Sequence, residues 1–362
     1  MPGLLMRGRR RGPGGPAPAR KGQRGTGRCP GAARVGAFSR RVKESSLSPL
    51  VGVPEPVTVR VPAKINLHLA VGPLRPDGYH DLVTVFQAVS LYDEITATPA
   101  RTLTMAVSGE GVPGLPTDEQ NLAWRAATLL AVRTGVEPAV HLDLAKGIPV
   151  AGGLAGGSAD AAATLVACDA LWGTGLGRDE LLELAAELGA DVAFGLVGGT
   201  ALGTGRGERL TPVLAGGRWH WVLGVAHGGL STPAVYRELD RLRAATDPEP
   251  EAAHHELLAI EPANGLINAL RLQDPEQLGR LLANDLQPAA LSLRPELRQT
   301  LRAADELGAL GSVVSGSGPT CALLARSEEH AVRLAAALAG AGVCRTVKVV
   351  AGPVGGARLV AE

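Results

Sequence analysis

The chain has 362 residues, 45% hydrophobic and 20% charged, enough for one large domain or two ordinary ones with real cores. Aromatics are 3%, against 48 Gly and 26 Pro, so those cores must be built from Ala, Leu and Val. The net charge of +1 conceals a split: residues 1–56 hold 12 basic and 2 acidic residues and the remainder 24 and 33, and so mildly acidic a body argues against a nucleic-acid surface.

Residues 1–56 read as a disordered basic extension rich in Gly, Pro and Arg, without apolar periodicity. A tail, or a start placed too far upstream, is favoured over an RNA- or membrane-binding arm. No continuous apolar region follows the basic residues, so no signal peptide is expected. Order is predicted from Val57. V-T-V-R-V alternates, Pro62 interrupts it, and alternation resumes through Ile65, Leu67, Leu69 and Val71, with Lys64, Asn66 and His68 on the other face. A turn follows at Arg75–Gly78, then a central strand at Leu82–Leu91, then Asp93-Glu94 and a further strand. Thr117 and Gln120 have capping-box spacing ahead of a helix over Asn121–Arg133. After a short strand at Val140–Leu144, a glycine-rich loop spans Pro149–Ser158. It feeds a helix over Ala159–Trp172, and another helix over Asp179–Leu188 stops at Gly189. Strands and loops are expected to Leu214, and a domain boundary at Gly216-Gly217. Beyond it come a strand at Trp219–Val225 and helices near Pro233–Arg243, Gly265–Leu270, Glu276–Leu282 and Pro295–Leu307. Strands at Ser312–Val314 and Cys321–Ala325 flank the loop Ser315–Pro319, and a helix and a last strand close the chain.

The loop P-V-A-G-G-L-A-G-G-S-A-D carries the most chemistry. Gly152, Gly153, Gly156 and Gly157 let backbone N–H groups turn inward, and the helix start adds partial positive charge, which together cradle phosphate oxygens. Ser158 is placed to touch a phosphate or its Mg²⁺. No Lys follows the last Gly, so this is not a Walker A loop, and G-x-G-x-x-G at Gly109, Gly111 and Gly114 contains Pro113 and opens no helix. A flexible connector is the competing reading of the first loop, and a tight turn that of the Gly/Ser loop at Ser315–Thr320. Lys64 and Asn66 set a cation beside an amide on one strand face. Asp191 opens an apolar run after a helix end, so it is either buried with a partner or placed for chemistry. A Lys–Asp pair suits deprotonation of a hydroxyl and steadying of a transferring phosphoryl group, though spacing alone does not say that the two meet. Tyr79-His80 follows a turn, where an aromatic and a His could hold a base. His254-His255 reads as a surface loop. Four scattered cysteines, Cys29, Cys168, Cys321 and Cys344, argue against a disulfide framework or zinc site and fit a cytoplasmic protein. The longest uncharged run, Leu307–Ala325, is broken by S-G-S-G-P, so no membrane span is expected.

V-P-A-K-I-N-L-H-L, R-P-D-G-Y-H-D-L, the glycine loop, L-G-A-D-V and S-G-S-G-P-T, in this order, resemble the GHMP family of small-molecule kinases over Val57–Val360. The resemblance implies an α+β fold of two domains, 57–215 and 216–362, with the active site in the cleft between them. The K-I-N and D-G-Y-H stretches point within the family to an ATP-dependent kinase acting on the 2-hydroxyl of 4-diphosphocytidyl-2-C-methyl-D-erythritol, in non-mevalonate isoprenoid precursor biosynthesis. Kinases of homoserine, mevalonate or a sugar are the alternative, and a silent nucleotide-binding scaffold is the alternative from another class. By the resemblance, Asp191 is the catalytic base and Lys64 its charge-stabilising partner. Asn66, Tyr79, His80 and Thr232 hold the substrate. Asn121 lies at the adenine, and Pro149, Val150, Ala151, Gly152, Gly153, Leu154, Ala155, Gly156, Gly157, Ser158 and Ala159 form the triphosphate loop. Gly316, Ser317 and Gly318 line the other side of the nucleotide, and Ser158 meets Mg²⁺ through ATP. Ser158-Ala159-Asp160 stands where the family often has Ser-Ser-Asn. The expected partner is that small molecule, with no nucleic acid or membrane, in a monomer or homodimer.

Overall fold

The computed structural model describes residues 54–112, 114–246 and 263–360, all within one compact unit. The expected disordered extension and the His254-His255 loop lie outside the described residues, except for Pro54–Pro56, which lead into the first strand.

Strand β1 runs Val57–Leu74 without interruption, where a break at Pro62 is expected from the sequence. A register shift between Pro62 and Ala63 absorbs the residue that has no N–H to donate. Its partner β2, His80–Pro99, is also one strand, not two, because Asp93 is accommodated inside the protein by partners. β2 pairs with β1 along its length, with β5 (Thr200–Thr204) at its first half and with β4 (Val140–Lys146) at its second. β3 (Thr104–Gly109) lies parallel to β4, with α1 (Leu122–Thr134) between them in the chain. β6 (Arg209–Pro212) extends from β5.

α2 (Gly156–Trp172) lies on this sheet through Ala161, Ala162, Ala163, Leu165 and Ala167, so small side chains let helix and strands approach closely. α3 (Arg178–Leu188) ends as expected at Gly189. The next stretch is a further helix, α4 (Ala190–Val197), not a strand or loop; its few residues are too short for a periodic signal. The cap of α1 also differs from expectation. Asn121, not the Thr117–Gln120 pair, closes it, with Oδ1 accepting from the Ala123 N–H at 3.0 Å.

At Gly216-Gly217 the chain leaves the first sheet for a second, antiparallel sheet. There β7 (Trp219–Val225) sits between β11 (Thr346–Gly352) and β10 (Thr320–Ala325), and β9 (Gly311–Val314) flanks β10. Around it are α5 (Thr232–Thr246), α6 (Asn264–Leu272), α7 (Pro275–Leu281), α8 (Gln287–Leu293), α9 (Leu297–Glu306) and α10 (Glu328–Gly340). Two short strands return to β1: β8 (Ala283–Asn284) and β12 (Arg358–Leu359). The halves are thus interleaved. The buried Trp221 of β7 donates its Nε1–H to Gln87 Oε1 of β2 at 2.9 Å, and Gln87 Nε2 donates to Thr200 Oγ1 at 3.2 Å. This polar pin joins the two sheets, and all of its groups are buried.

Replacing Trp221 by Phe opens a void and orphans the Gln87 carbonyl, which costs about 2–4 kcal/mol of folding stability. Chemical denaturation checks this; a loss under about 0.5 kcal/mol would show that the pin does not hold the sheets together.

Candidate active site

Lys64 lies on a stretch of β1 buried on both faces, so its ammonium reaches a cleft and not bulk solvent. Its Nζ donates to Asn66 Oδ1 at 2.6 Å. Asn66 Nδ2 donates to Thr84 Oγ1 at 2.8 Å, and Thr84 donates to the His68 carbonyl at 2.7 Å. This chain fixes the ammonium in place, and the Phe86 ring lies 5.3 Å from it.

The glycine loop is held against this strand by backbone contacts. The Lys64 N–H donates to the Leu154 carbonyl at 3.2 Å. Gly153, at φ +75°, lies so close to the second loop that a Cβ would stand 2.2 Å from the Ser315 carbonyl oxygen, and Ser315 Oγ donates to the Gly153 carbonyl at 3.1 Å. Gly316, at φ +55°, passes over the Lys64–Asn66 pair; a Cβ there would come 3.2 Å from both Lys64 Nζ and Asn66 Oδ1. Only glycine fits at Gly153, and the left-handed φ of Gly316 favours glycine there.

Asp191 is in the first turn of α4, where the helix start favours a carboxylate. Its Oδ2 stands 3.7 Å from Lys64 Nζ, with the Lys64 side chain 8% and the Asp191 side chain 35% exposed. The ammonium is therefore buried while the carboxylate opens to the cleft. The cleft, of about 460 Å³, is lined by Lys64, Asn66, Thr84, Phe86, Ala151, Gly152, Gly153, Ala155, Gly156, Gly157, Ser158, Asp191, Thr232, Gly316 and Ser317, among others. A second cavity of about 750 Å³ shares Leu82, Ala190, Arg206, Thr232 and Tyr236 with it and carries Tyr79 and His80. His80 Nε2 is 2.9 Å from Asp240 Oδ1, and its ring is 5.0 Å from that of Tyr236. Tyr79 is exposed under the Arg206 guanidinium, 4.8 Å from its ring centre. Thr232 Oγ1 and Ser317 Oγ hydrogen-bond at 2.9 Å, closing the wall between the cavities.

Most of the site residues expected from the sequence therefore share one cleft. Several do not line it. Asn121 spends both ends of its amide on the helix cap and the Pro116 carbonyl. Leu154 and Ala159 are core residues, Pro149 and Val150 are absent from the lining, and Gly318 packs against Gly153. Other lining residues have no place in the sequence reading: Thr84, Phe86, Arg206, Tyr236 and Asp240. Thr232, Tyr236 and Asp240 are four apart on α5, a helical stripe that would have revealed the last two. Burial, with the Asp191 charge adding to it, pushes the Tyr236 hydroxyl above the usual phenol range, so it stays protonated. Burial likewise pushes Cys168 and Cys321 up to about 12, which removes them as thiolate nucleophiles.

Among the described residues no group of three or more His, Cys, Asp or Glu could hold a metal ion by itself. The cleft offers the half-buried Ser158 hydroxyl beside the glycine loop and the start of α2. That donor fits Mg²⁺ carried on a nucleotide's phosphates, which needs only one or two protein oxygens. Behind the loop, Lys146 Nζ donates to Asp160 Oδ2 at 2.6 Å and also to Asp93. Burial raises the Asp160 carboxyl to about 8, with Lys146 pulling it down and Asp93 raising it. No helix among the described residues is long and apolar enough to cross a membrane.

Two family descriptions match the chain: "GHMP kinases N terminal domain" over residues 121–201 and "GHMP kinases C terminal" over 266–344. The 4-diphosphocytidyl-2-C-methyl-D-erythritol kinase of Nocardia farcinica is 60% identical over 308 residues, covering 85% of this chain and 97% of that protein. A crystal structure of 4-(cytidine 5'-diphospho)-2C-methyl-D-erythritol kinase superposes with TM-score 0.64 at 34% identity, covering 82% of this chain and all of that one. Homoserine kinase from Cytophaga hutchinsonii superposes with TM-score 0.66 at 22% identity over 84% of this chain and 97% of its own, which speaks for the fold alone. The fold is thus the α+β arrangement of an N-terminal and a C-terminal domain shared by these kinases.

Replacing Gly153 by Ala forces a side chain into the Ser315 carbonyl at a left-handed backbone position. The change should lower stability by about 2–4 kcal/mol and weaken binding of a non-hydrolysable ATP analogue. Thermal unfolding and calorimetric titration check both; a stable variant with unchanged analogue affinity would refute the loop-to-loop contact as a structural requirement.

Proposed function

The chain belongs to the GHMP kinase family, and within it we propose that this protein transfers the γ-phosphate of ATP to the 2-hydroxyl of 4-diphosphocytidyl-2-C-methyl-D-erythritol. The observation that carries the reading is the 3.7 Å approach of Lys64 to Asp191 in the cleft lined by the glycine loop.

In this reading the N–H groups of the loop and the start of α2 bind the triphosphate and steady charge on its oxygens. Asp191, open to the cleft, accepts the proton of the 2-hydroxyl. The hydroxyl oxygen bonds to the γ-phosphorus, the bond to the bridging β–γ oxygen breaks, and ADP leaves with that electron pair. The products are ADP and the 2-phosphorylated cytidyl compound. Lys64 is a point charge fixed by Asn66 and Thr84. It holds Asp191 in orientation and offsets negative charge as phosphoryl transfer proceeds. Mg²⁺ bound with ATP would supply charge neutralisation on the phosphates, and Ser158 is the residue that would hold it.

The second cavity supports the choice of substrate. Tyr79 offers an exposed ring for stacking, and His80 is oriented by Asp240 and Tyr236 for hydrogen bonding to a base edge. Homoserine and mevalonate have no base to fill that space. Arg206, at the join of the cavities, and Arg237, in the second, add positive charge suited to a diphosphate.

A panel of alcohols with labelled ATP tests the assignment. Transfer to the cytidyl substrate, with homoserine and mevalonate left unlabelled, is the expected result; labelling of either of those instead would overturn it. Asp191→Asn should cut kcat by about a hundredfold or more while leaving the affinity for a non-hydrolysable ATP analogue within about threefold. Near-normal turnover in that variant would remove Asp191 as the base.

A further inference from the structure

The buried cluster of Lys146, Asp93 and Asp160 lies outside the cleft lining, and the chemistry above makes no use of it. Its three members come from three elements. Asp93 is inside β2, Lys146 is the last residue of β4, and Asp160 is the fifth residue of α2. The glycine loop is the segment between the last two.

The contacts grip that loop at both ends. At its entry, Asp93 Oδ1 accepts the N–H groups of Gly147 at 2.7 Å and Ile148 at 2.9 Å. At its exit, Asp160 Oδ2 accepts from Lys146 Nζ at 2.6 Å. The same ammonium donates to Asp93, so entry and exit are tied to one buried cation. That cation lies directly under the helix start: a Cβ on Gly156 would stand 3.4 Å from Lys146 Nζ. Asp160 Oδ1 is buried without a hydrogen-bond partner. Breaking such a buried ionic cluster by removing one partner is costly, so its members stay locked together.

We propose that Lys146, Asp93 and Asp160 are positioning residues that clamp both ends of the glycine loop and thereby set its affinity for the nucleotide triphosphate without touching it. The inference rests on the reading of that loop as the ATP site. Backbone contacts at Gly152, Gly153 and Leu154 hold the middle of the loop, so the grip on its ends bears on the stretch from Ala155 into the start of α2. Freeing the exit lets the N–H groups at the start of α2 drift from convergence. An anion nest works by convergence, and a displacement of about an ångström lowers its effect many-fold.

Steady-state kinetics on the purified full chain test the clamp. Asp160→Ala leaves Lys146 charge-paired with Asp93 but frees the exit. It should raise the KM for ATP by about tenfold or more, with kcat and the KM for the cytidyl substrate moving less than about threefold. Asp160→Asn keeps an acceptor for Lys146 and should restore the ATP KM to within about threefold of the parent. An ATP KM unchanged in the Ala variant, equal rises in both KM values, or an Asn variant as impaired as the Ala variant would each overturn the clamp. Should the Ala variant not fold, Lys146→Met/Asp160→Leu removes the ammonium together with its second carboxylate and leaves Asp93 on its two backbone donors; the same rise in ATP KM alone is expected. Absence of ATP-dependent transfer in the parent protein would instead sink the assignment of the loop, which keeps the two failures apart.

Discussion

The whole site depends on the backbone-to-backbone closure of two glycine-bearing loops. Gly153 lies against Ser315, Gly316 lies against Lys64 and Asn66, and the Lys64 N–H is bonded to the loop at Leu154. At Gly153 no side chain larger than hydrogen fits, and Gly316 sits at a left-handed φ that favours glycine. Because the first loop leaves β4 and enters α2, while the second joins β9 to β10, this one contact brings elements from both halves of the chain to a common cleft. Asp191 completes it from α4, 127 positions along the chain from Lys64. The cation and the carboxylate are thus placed beside the joined loops.

Much of this can be read in the residues. The glycine loop, the second Gly/Ser loop, the polar pair on β1 and the acid after a helix end all belong to one cleft, because each needs a residue type at a spacing that packing alone does not ask for. What spacing cannot supply is distance. Lys64 and Asp191 meet because α4 packs on β1 and α2 packs on both, a fact of tertiary structure. Pattern reading fails where a local signal is overridden. Pro62 marks a bulge within a continuous strand, since the unpaired position can be absorbed there. Asp93 looks like a surface turn residue but is fully buried, since Lys146 and two backbone N–H groups satisfy it. Asn121 caps α1, its Oδ1 accepting from the Ala123 N–H and its Nδ2 donating to the Pro116 carbonyl.

Two layers of polar structure surround the cleft. The inner one, Lys64, Asn66, Thr84 and Asp191, lines the cleft and keeps one carboxylate open to it. The outer one, Lys146, Asp93 and Asp160, is sealed behind the nest and holds the loop that the inner one works beside. Sealing suits each task. A buried ammonium on Lys64 is a fixed charge that needs no reorganisation when phosphoryl transfer occurs, and a buried clamp keeps loop geometry from depending on solvent. On the proposed function, the cavity bearing Tyr79, His80 and Arg206 would add selectivity through the part of the substrate remote from the chemistry.

The most direct measurement is a crystal structure with a non-hydrolysable ATP analogue and the cytidyl substrate bound together. The account predicts the terminal phosphate in the nest between Gly152 and Ser158, the 2-hydroxyl within hydrogen-bond reach of Asp191, and the base against Tyr79 and His80. A terminal phosphate bound away from that nest, or a 2-hydroxyl out of reach of Asp191, would contradict it.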